Sequence, residues 1–330
     1  MREVKWAILG CGKIARKFAS DLQYVKNAKL IAVAARDQAT AEKFAQEFPV
    51  KHIHGSYQSL VENSDVDVIY VATPHGLHHE HVMLCLKHKK AVLCEKAFAL
   101  NSRQAKEMIS FAKAQNVFLM EALWSKFLPH YQKLMEIVQS KKLGDLKSVL
   151  INFGFVPQEP VAPRLLDPAL GGGSLLDIGI YNVFFALSIL GKPDEVEASM
   201  TPSSTPVDEQ CAILFKYKTG ALAQLFCTFS SNLATEADIG GERGRIRLST
   251  RFYEPSAHIE YYPGNVSTKQ IIDVKKEAGF GYHYEAQHVT ECLIQGLKES
   301  PVMKFSDTLE LMETLDCIRA KANIRYPADL

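Results

Sequence analysis

Up to about residue 122, short apolar runs alternate with segments of helical periodicity, and this alternation restricts the possible folds more than any other feature. The apolar runs are rich in β-branched residues and carry few polar ones: KWAILG, KLIAVAAR, VDVIYVAT, KAVLCEK and VFLMEAL. Strands of this kind are buried on both faces, as in a parallel sheet covered by helices on each side. We therefore predict a doubly wound parallel α/β domain for the first part of the chain.

From about residue 145 the apolar pattern changes to strands that partly alternate with polar residues and are separated by turn residues. Examples are SVLINFGF, DEVEASMT, DEQCAILF, ALAQLFCTF, RIRLST and HIEYYPG. Such alternation is typical of a sheet with one exposed face. We predict an α+β domain with an open mixed, largely antiparallel sheet, and helices near 174–190, 282–298 and 306–323. A further helix after Pro129 bridges the two parts.

The composition argues against several classes of partner. The net charge is +1, and lysine and arginine are scattered, so the electrostatic footprint of nucleic-acid binding is missing. No apolar run approaches about 18 residues, and MREVKWAILG lacks a signal-peptide core, so we expect no membrane segment. The seven cysteines are scattered, mostly within apolar runs. That distribution favours reduced thiols in a cytoplasmic protein over disulfides or a zinc site.

The first predicted strand leads into GCGKIA at positions 10–15, a G-x-G-x-x-A pattern that opens a helix. In such a loop Gly10 permits a tight turn, Gly12 lets the backbone approach a pyrophosphate, and Ala15 allows close helix–strand packing. The helix start, with Lys13 and Ile14, offers N–H groups and partial positive charge to phosphates. Between two predicted strands the pattern predicts a dinucleotide site, with a merely tight turn as the alternative.

The second predicted strand ends in VAARD, about twenty residues after the loop, where NAD-selective sites usually place an acid for the ribose hydroxyls. Here Ala35 stands at the strand tip and Arg36 follows, so a guanidinium can face the 2′-phosphate of NADP. Asp37 is an alternative ligand for the ribose. We therefore predict NADP as the cofactor, with NAD as the alternative.

Histidines cluster just past the carboxyl end of the VDVIYVAT strand. His78 and His81 have a spacing that suits a metal ion, but the sequence supplies no converging third ligand, so we predict no metal. A dinucleotide lies along this edge of a parallel sheet. We expect His79 and His81 to be solvated. The residues expected to line the cofactor here are Ala72, Thr73, Pro74, His75 and His78.

The strand AVLC ends at Glu95 and Lys96, although burying charge without partners is costly. Further along, GGGSLLDIGIY places Asp177 and Tyr181 four residues apart, on one face of a helix, although a glycine-rich turn before a core tyrosine is the simpler interpretation. Oxidation of an alcohol by hydride transfer needs a base, and a phenol with a pKa of about 10 needs a nearby cation to serve as one. We predict Tyr181 as the acid/base, Lys96 as that cation, and Glu95 or Asp177 as the group that holds the lysine.

Over essentially its whole length the chain resembles the Gfo/Idh/MocA family of glucose–fructose oxidoreductase and inositol dehydrogenase-like enzymes. The resemblance rests on GCGKIA, CEKA, MEALW, GGGSLLDIGIY and GYHYEAQHV. VAARD, AVLCEK and YEAQHVTECLIQGLKESP are most similar to the branch of dimeric dihydrodiol dehydrogenases, which also oxidise aldoses such as D-xylose with NADP. The resemblance implies a Rossmann domain over residues 1–122. It also implies a substrate-binding domain over 123–330, whose open sheet forms a homodimer.

Carried over position by position, the resemblance implies that Lys96 is the lysine of the family's E-K-P motif. It also implies that Asp177 and Tyr181 stand where many relatives carry an Asp–His pair. Two positions depart from the pattern: Ala97 replaces the proline of E-K-P, and Lys126 stands where close relatives commonly have arginine. The alanine leaves open whether the backbone after the lysine keeps the geometry that proline imposes.

Three further residues are predicted substrate contacts. Trp124 falls, by the resemblance, where this branch lines the pocket with an aromatic ring. Arg164 lies in a polar loop before the glycines and is equally a solvated cation, and Phe280 faces either the substrate or a subunit interface.

The function predicted from the sequence is hydride transfer between NADP and a hydroxyl carbon of an aldose or a cyclic trans-diol. One alternative is a nucleotide-binding sensor that has lost its redox chemistry. Another is an NAD-dependent glycosidase of the same family.

Overall fold

A computed structural model describes residues 2–264 and 268–329 and forms two compact units. The first unit comprises Met1–Trp124 and Glu277–Leu309, and the second comprises Ser125–Lys276 and Glu310–Leu330. The domain boundary after residue 122 stays a prediction. Residues 277–309, which the sequence analysis assigns to the C-terminal domain, cluster with the first unit.

The first unit alternates strands and helices, as its apolar runs predict. Its strands are β1 Val4–Leu9, β2 Ala28–Ala34, β3 His52–His54, β4 Val68–Val71, β5 Ala91–Glu95 and β6 Leu119–Ala122. Its helices here are α1 Lys13–Leu22, α2 Gln38–Glu47, α3 Tyr57–Val61, α4 His78–Lys87 and α5 Ser102–Gln115. All neighbouring strands are parallel, in the order β3-β2-β1-β4-β5-β6. The order reverses between β1 and β4, and a crevice at such a point is where open α/β sheets bind ligands.

The second unit contains the open mixed sheet that the sequence predicts. Its helices are α6 Pro129–Gln139 and, after a π-helical turn over Leu175–Gly179, α7 Ile180–Leu190. Its strands are β7 Leu146–Gly154, β8 Glu195–Pro202, β9 Asp208–Lys216, β10 Leu222–Thr228, β11 Glu236–Gly241, β12 Gly244–Ser249, β13 His258–Pro263 and β14 Gln270–Ile272. The order is β14-β13-β12-β11-β7-β10-β9-β8, and only the β7–β10 pair is parallel.

One face of this second sheet is buried and the other is open, because side chains alternate along each strand. Val149 and Ile151 of β7 are buried, and α7 packs against β7 and β10. On the opposite face Leu150 and Leu222 are each 47% exposed.

The last two helices are α8 Tyr282–Ile294 and α9 Phe305–Ala322. α8 packs against α1 and β1 of the first unit. The indole N–H of Trp6 in β1 donates to Thr290 Oγ1 in α8 at 3.1 Å. This buried bond ties α8 to the sheet of the first unit.

In the described residues one helical segment, Pro168–Leu190, is long and apolar enough to cross a membrane. Most of it is buried inside the protein, as in the core helix of a folded domain, so it is weak evidence for a membrane span.

Candidate active site

The loop between β1 and α1 has room for a phosphate at Gly12. Gly10 has φ +101°, and a Cβ there would lie 3.0 Å from the Ala72 carbonyl oxygen, so the fold itself requires this glycine. Gly12 has an ordinary φ of −83°, and a Cβ there would meet no atom within 4 Å. Neither backbone nor packing requires glycine at position 12. No acidic residue lies in the first turn of α1, so its N–H groups suit the pyrophosphate of a nicotinamide dinucleotide.

Arg36 and Asp37 follow β2 and both are exposed. Asp37 is the N-cap of α2: its Oδ1 accepts from the Thr40 backbone N–H at 2.8 Å, and its Oδ2 from the Thr40 hydroxyl at 2.9 Å. These two hydrogen bonds hold the pKa of Asp37 below its usual value. Both carboxylate oxygens are thus engaged in capping the helix.

The histidines after β4 are more buried than the sequence analysis expects. His78 is fully buried, with Nδ1 2.8 Å from the Ala97 carbonyl oxygen and Nε2 2.7 Å from the Thr73 carbonyl oxygen. His81 was expected to be solvated, and this is wrong: it is 5% exposed, with Nδ1 3.0 Å from Thr73 Oγ1. Burial lowers the pKa of both rings, to about 4 for His78. The physical reason is that α4 packs against α3, α5, β4 and β5, so little of its circumference meets water.

The other two histidines differ from each other in exposure. His75 is buried, whereas His79 is partly exposed and its Nε2 lies 2.9 Å from a carboxylate oxygen of Glu107. Among residues 2–264 and 268–329, no three histidine, cysteine, aspartate or glutamate side chains are grouped as metal ligands.

Glu95 and Lys96 lie where β5 ends at the carboxyl edge of the first sheet. Glu95 is 7% exposed; its Oε1 accepts from the Tyr70 hydroxyl and its Oε2 from the Lys96 backbone N–H, the latter at 3.2 Å. Burial and the adjacent Glu95 raise the pKa of Tyr70 well above its usual value, so its hydroxyl keeps its proton and donates the hydrogen bond to Glu95. The buried carboxylate therefore has the partners its burial requires, and it fixes the turn into Lys96. The peptide bond between Lys96 and Ala97 is cis, although residue 97 is alanine.

A second carboxyl group of the first unit, Glu285 in α8, was not predicted as a site residue. Glu285 is fully buried, and neither of its oxygens has a hydrogen-bond partner in the described part of the chain. Burial, and then the charges of Glu95 and Asp21, raise its pKa well above the usual value. The environment thus favours the protonated, neutral form of Glu285.

Asp21 holds the start of α8. It is fully buried in α1, and its Oδ2 accepts from the backbone N–H groups of Gly281 and Tyr282, each at 2.7 Å. Burial alone would raise the pKa of Asp21, but His283 and the backbone N–H groups of Phe280 and Tyr282 keep it below its usual value. One sequence feature could have revealed it, since Asp21 lies three residues after Phe18, on the apolar face of its helix.

Two of the predicted substrate residues lie near this helix start. Trp124 is 6% exposed and its ring stacks on that of Tyr282, with centroids 4.5 Å apart and an interplanar angle of 5°. Phe280 is 47% exposed, and the ammonium of Lys17 lies 5.3 Å from its ring centroid. The first unit therefore holds one covered and one open aromatic ring beside the start of α8.

In the second unit Asp177 is paired with Arg164. Arg164 Nη1 lies 3.0 Å from Asp177 Oδ1; the carboxylate is buried, while half of the arginine side chain is exposed. Asp177 belongs to the π-helical turn and Tyr181 to the first turn of α7, so the continuous helix predicted around them has a wider turn at its start. Such turns occur frequently at functional sites.

Tyr181 lies in an aromatic cluster that sequence reasoning missed. It is 6% exposed, and its ring centroid is 4.7 Å from that of Tyr253 and 6.2 Å from that of Phe153. Burial, and then Glu254, raise the pKa of Tyr253 to about 12. Phe153 and Tyr253 also line a cavity of about 580 Å³ in the second unit. No spacing rule in the sequence joins position 253 to position 181.

The helix that carries Tyr181 is anchored at its start by Asp208. Asp208 Oδ2 accepts from the Ser174 hydroxyl at 2.7 Å and from the Leu175 N–H at 2.6 Å. Its burial raises its pKa to about 6. The glycine-rich stretch before Ser174 lets this carboxylate come close, since a Cβ at Gly173 would overlap its Oδ1.

Models of two protein domains match the chain. The model of the oxidoreductase family with an NAD-binding Rossmann fold matches residues 4–123, and that of the GFO/IDH/MocA C-terminal domain matches residues 131–247. The chain belongs to the Gfo/Idh/MocA family. This membership confirms the predicted fold class and family, and it makes the protein an oxidoreductase that uses a nicotinamide cofactor.

Two relatives within the Gfo/Idh/MocA family match over almost the whole chain. Trans-1,2-dihydrobenzene-1,2-diol dehydrogenase of Mus musculus is 37% identical over 335 residues, covering 99% of each chain. The enzyme of that name from Homo sapiens is 34% identical over 334 residues, again covering 99% of each.

Two solved structures show the Gfo/Idh/MocA fold of this chain. Aldose-aldose oxidoreductase of Caulobacter crescentus, complexed with glycerol, superposes with a TM-score of 0.88 at 23% identity and covers 98% of both chains. A 3-ketoreductase of Actinomadura kijaniata, in complex with NADP and TDP-benzene, gives 0.87 at 22% identity, covering 97% of this chain and 98% of its own.

Proposed function

We propose that the protein is an NADP-dependent dehydrogenase that moves a hydride between nicotinamide and a hydroxyl carbon of an aldose or a cyclic trans-diol. The observation that carries the proposal is the position of Lys96. It directly follows β5, at the edge of the parallel sheet where the loop between β1 and α1 offers its open cradle at Gly12. The names of the dihydrodiol dehydrogenase relatives support the substrate class.

In the proposed oxidation the cofactor supplies the hydride acceptor. Tyr181 takes the hydroxyl proton as the carbonyl forms, and the ammonium of Lys96 stabilises the negative charge that develops on oxygen. Glu95 fixes the backbone of Lys96 through its N–H. Asp177, paired with Arg164, accepts a hydrogen bond from a second substrate hydroxyl, and Trp124 covers an apolar face of the substrate ring.

The preference for NADP rests on the contrast between Arg36 and Asp37. Asp37 already accepts two hydrogen bonds from Thr40 as the cap of α2, whereas Arg36 is exposed next to it. A guanidinium binds a phosphate through charge-assisted, often bidentate, hydrogen bonds. We propose that Arg36 binds the 2′-phosphate. We likewise propose that Ala72, Thr73, Pro74 and His75 line the cofactor. His78, predicted with them, has no exposed surface and both of its ring nitrogens lie against backbone carbonyls, so we do not propose it as a cofactor contact.

The experiment is a fluorescence titration with NADPH and NADH, repeated with Arg36→Asp, followed by turnover assays of Tyr181→Phe on aldoses and trans-diols. We expect Arg36→Asp to weaken NADPH binding at least tenfold and to leave NADH binding unchanged. We expect Tyr181→Phe to keep NADPH affinity and to lose at least about a hundredfold in kcat. Equal binding of both cofactors by both proteins would contradict the NADP assignment. Near-normal turnover by Tyr181→Phe would contradict the acid/base assignment.

We also propose a homodimer formed through the exposed face of the second sheet. Leu150 and Leu222, on neighbouring strands, present half-exposed apolar side chains on that face. An exposed apolar patch of this kind marks an interaction site in many proteins. Sedimentation equilibrium is expected to give a dimer for the native chain and a monomer for Leu150→Arg; a monomeric native chain would refute the proposal.

The cytoplasm is the compartment we propose. All seven cysteines are free thiols, and five of them are buried. A reducing compartment keeps such thiols in this form. Cell fractionation of the tagged protein tests this, and recovery in an oxidising compartment would contradict it.

A further inference from the structure

One buried imidazole, that of His78, lies between the segments that follow β4 and β5. Its Nε2 lies 2.7 Å from the carbonyl oxygen of Thr73, two residues after β4, and its Nδ1 lies 2.8 Å from that of Ala97, two residues after β5. β4 and β5 are neighbours in the sheet, so both segments leave it at the carboxyl edge. The ring is fully buried, and its two nitrogens face backbone rather than solvent.

The contact with Ala97 falls one residue after Lys96. The N–H of Lys96 is already held by Glu95 Oε2 at 3.2 Å. Glu95 accepts from the main-chain N–H of Lys96, and His78 faces the main-chain carbonyl of Ala97. Together they hold the main chain on both sides of the Lys96 side chain. A lysine stem has four rotatable bonds, so the position of its ammonium depends on a fixed main chain beneath it.

Both neighbours of the ring are carbonyl oxygens, and a neutral imidazole carries a hydrogen on only one nitrogen, so it donates to only one of the two segments. A hydrogen on Nδ1 gives the bond to Ala97, whereas one on Nε2 gives the bond to Thr73. His81, one turn along the same helix, is buried to a similar degree, but its Nδ1 faces the side chain of Thr73 and its ring packs edge-on against Tyr57. His81 therefore shows that a histidine can be buried in this helix without lying against the Lys96 segment.

We propose that His78 is a positioning residue for the reaction. Its Nδ1–H donates to the Ala97 carbonyl and thereby sets where the Lys96 ammonium lies. The inference rests on the proposed function insofar as Lys96 is the active-site cation. It assigns to His78 a part in catalysis through Lys96, without contact with substrate.

Two substitutions separate the two contacts. The side-chain N–H₂ of asparagine sits near the position of histidine Nδ1, and that of glutamine near the position of Nε2. His78→Asn therefore keeps the donor toward Ala97, and His78→Gln keeps the donor toward Thr73. We expect His78→Gln to lower kcat at least tenfold with NADPH affinity within about twofold of native. We expect His78→Asn to keep kcat within about threefold and NADPH affinity within about twofold of native, because a ring that donates from Nδ1 makes no hydrogen bond to Thr73 that this variant could lose.

Two spectroscopic measurements do not depend on turnover. In ¹⁵N-histidine-labelled native protein, the hydrogen of His78 is expected on Nδ1, and a hydrogen on Nε2 alone would overturn the proposal even if neither variant folds. In protein with ¹³C-methylated lysines, the resonance assigned with Lys96→Met is expected to move in His78→Gln and to stay in place in His78→Asn. His81→Asn and His81→Gln are the matched controls, expected to leave both kcat and that resonance unchanged.

Equal losses of kcat in His78→Asn and His78→Gln, or an unmoved Lys96 resonance in both, would reduce His78 to a packing residue. A different result would show that the proposed function is wrong while the positioning role of His78 is right. In that case Lys96→Met keeps full turnover, but His78→Gln still moves the Lys96 resonance.

Discussion

Arg164 and Asp177 form an ion pair in which Nη1 lies 3.0 Å from Oδ1, with the carboxylate buried and the arginine side chain half exposed. A pair open to water on one side contributes little to stability, under about 1 kcal/mol. Its main effect is to orient the Asp177 carboxylate, which lies one helical turn before Tyr181. We expect Arg164→Gln to raise KM for the sugar or diol about fivefold, with kcat and the free energy of unfolding nearly unchanged. Steady-state kinetics and urea unfolding measure these quantities.

The matched control is Lys133→Gln, which breaks an exposed pair with Glu136 in α6, 2.8 Å long. It is expected to change neither KM nor kcat. An Arg164→Gln enzyme with native KM would show that the pair has no part in binding substrate.

Gly10 and Gly12 are expected to respond in opposite ways to the same added methyl group. Gly12→Ala puts a Cβ into open space at an ordinary φ, so the free energy of unfolding is expected to stay native while NADPH affinity falls at least tenfold. Gly10→Ala forces φ +101° on an alanine and presses its Cβ against Ala72, so it is expected to destabilise the fold by about 1–3 kcal/mol. Urea unfolding and NADPH titration of both variants test this. Native affinity in Gly12→Ala would argue against a phosphate at this position.

The sequence predicts those elements whose information is local. Helix α5 is such an element, because Asn101 supplies the N-cap and apolar residues recur at helical spacing. The phosphate loop and Lys96 were found in the same way, since each directly follows an apolar strand. β3 has only three residues, and β11 contains adjacent glycines, so neither shows the expected strand pattern.

The partners of the site residues were not predictable, because folding brings them from far along the chain. Tyr70 reaches Glu95 from the neighbouring strand, and Asp21 in α1 holds the start of a helix some 260 residues later. The capping role of Asp37 is local, but the sequence does not show that both of its carboxylate oxygens accept hydrogen bonds from Thr40. Pairings of this kind follow from packing, which a single sequence does not reveal.

Alanine substitutions at Gly173 and Gly220 distinguish the cost of steric overlap from the cost of backbone strain. Both have positive φ, +108° and +82°, but a Cβ at Gly173 would overlap Asp208 Oδ1, whereas one at Gly220 would meet nothing within 4 Å. Gly220→Ala is expected to cost about 1 kcal/mol in unfolding free energy, from strain alone. Gly173→Ala is expected to cost at least about 2 kcal/mol more, because it displaces the carboxylate that holds Ser174 and Leu175. Urea unfolding of both variants checks the difference, and equal losses would contradict the overlap.

Glu285 gives a prediction whose sign depends on pH. Burial, and then Glu95 and Asp21, raise its pKa well above the ordinary value of 4.5. Below pH 4.5 the folded and unfolded chains both hold the proton, so ionisation of this group costs no stability. Above it the unfolded chain releases the proton while the folded chain keeps it. The native protein therefore loses stability as pH rises from 4.5 through the folded pKa.

Glu285→Gln removes this titration and keeps the shape of the side chain. We expect its unfolding free energy, relative to native, to increase between pH 4.5 and pH 7, by up to about 1.4 kcal/mol per pH unit. The cost of burying the glutamine amide does not depend on pH, so it leaves the change of this difference with pH unaffected. Urea unfolding at several pH values measures it, with Glu291→Gln, the same substitution at an exposed position of the same helix, as the comparison. A difference between Glu285→Gln and native that does not change with pH would mean that Glu285 ionises in the folded protein much as it does in the unfolded chain.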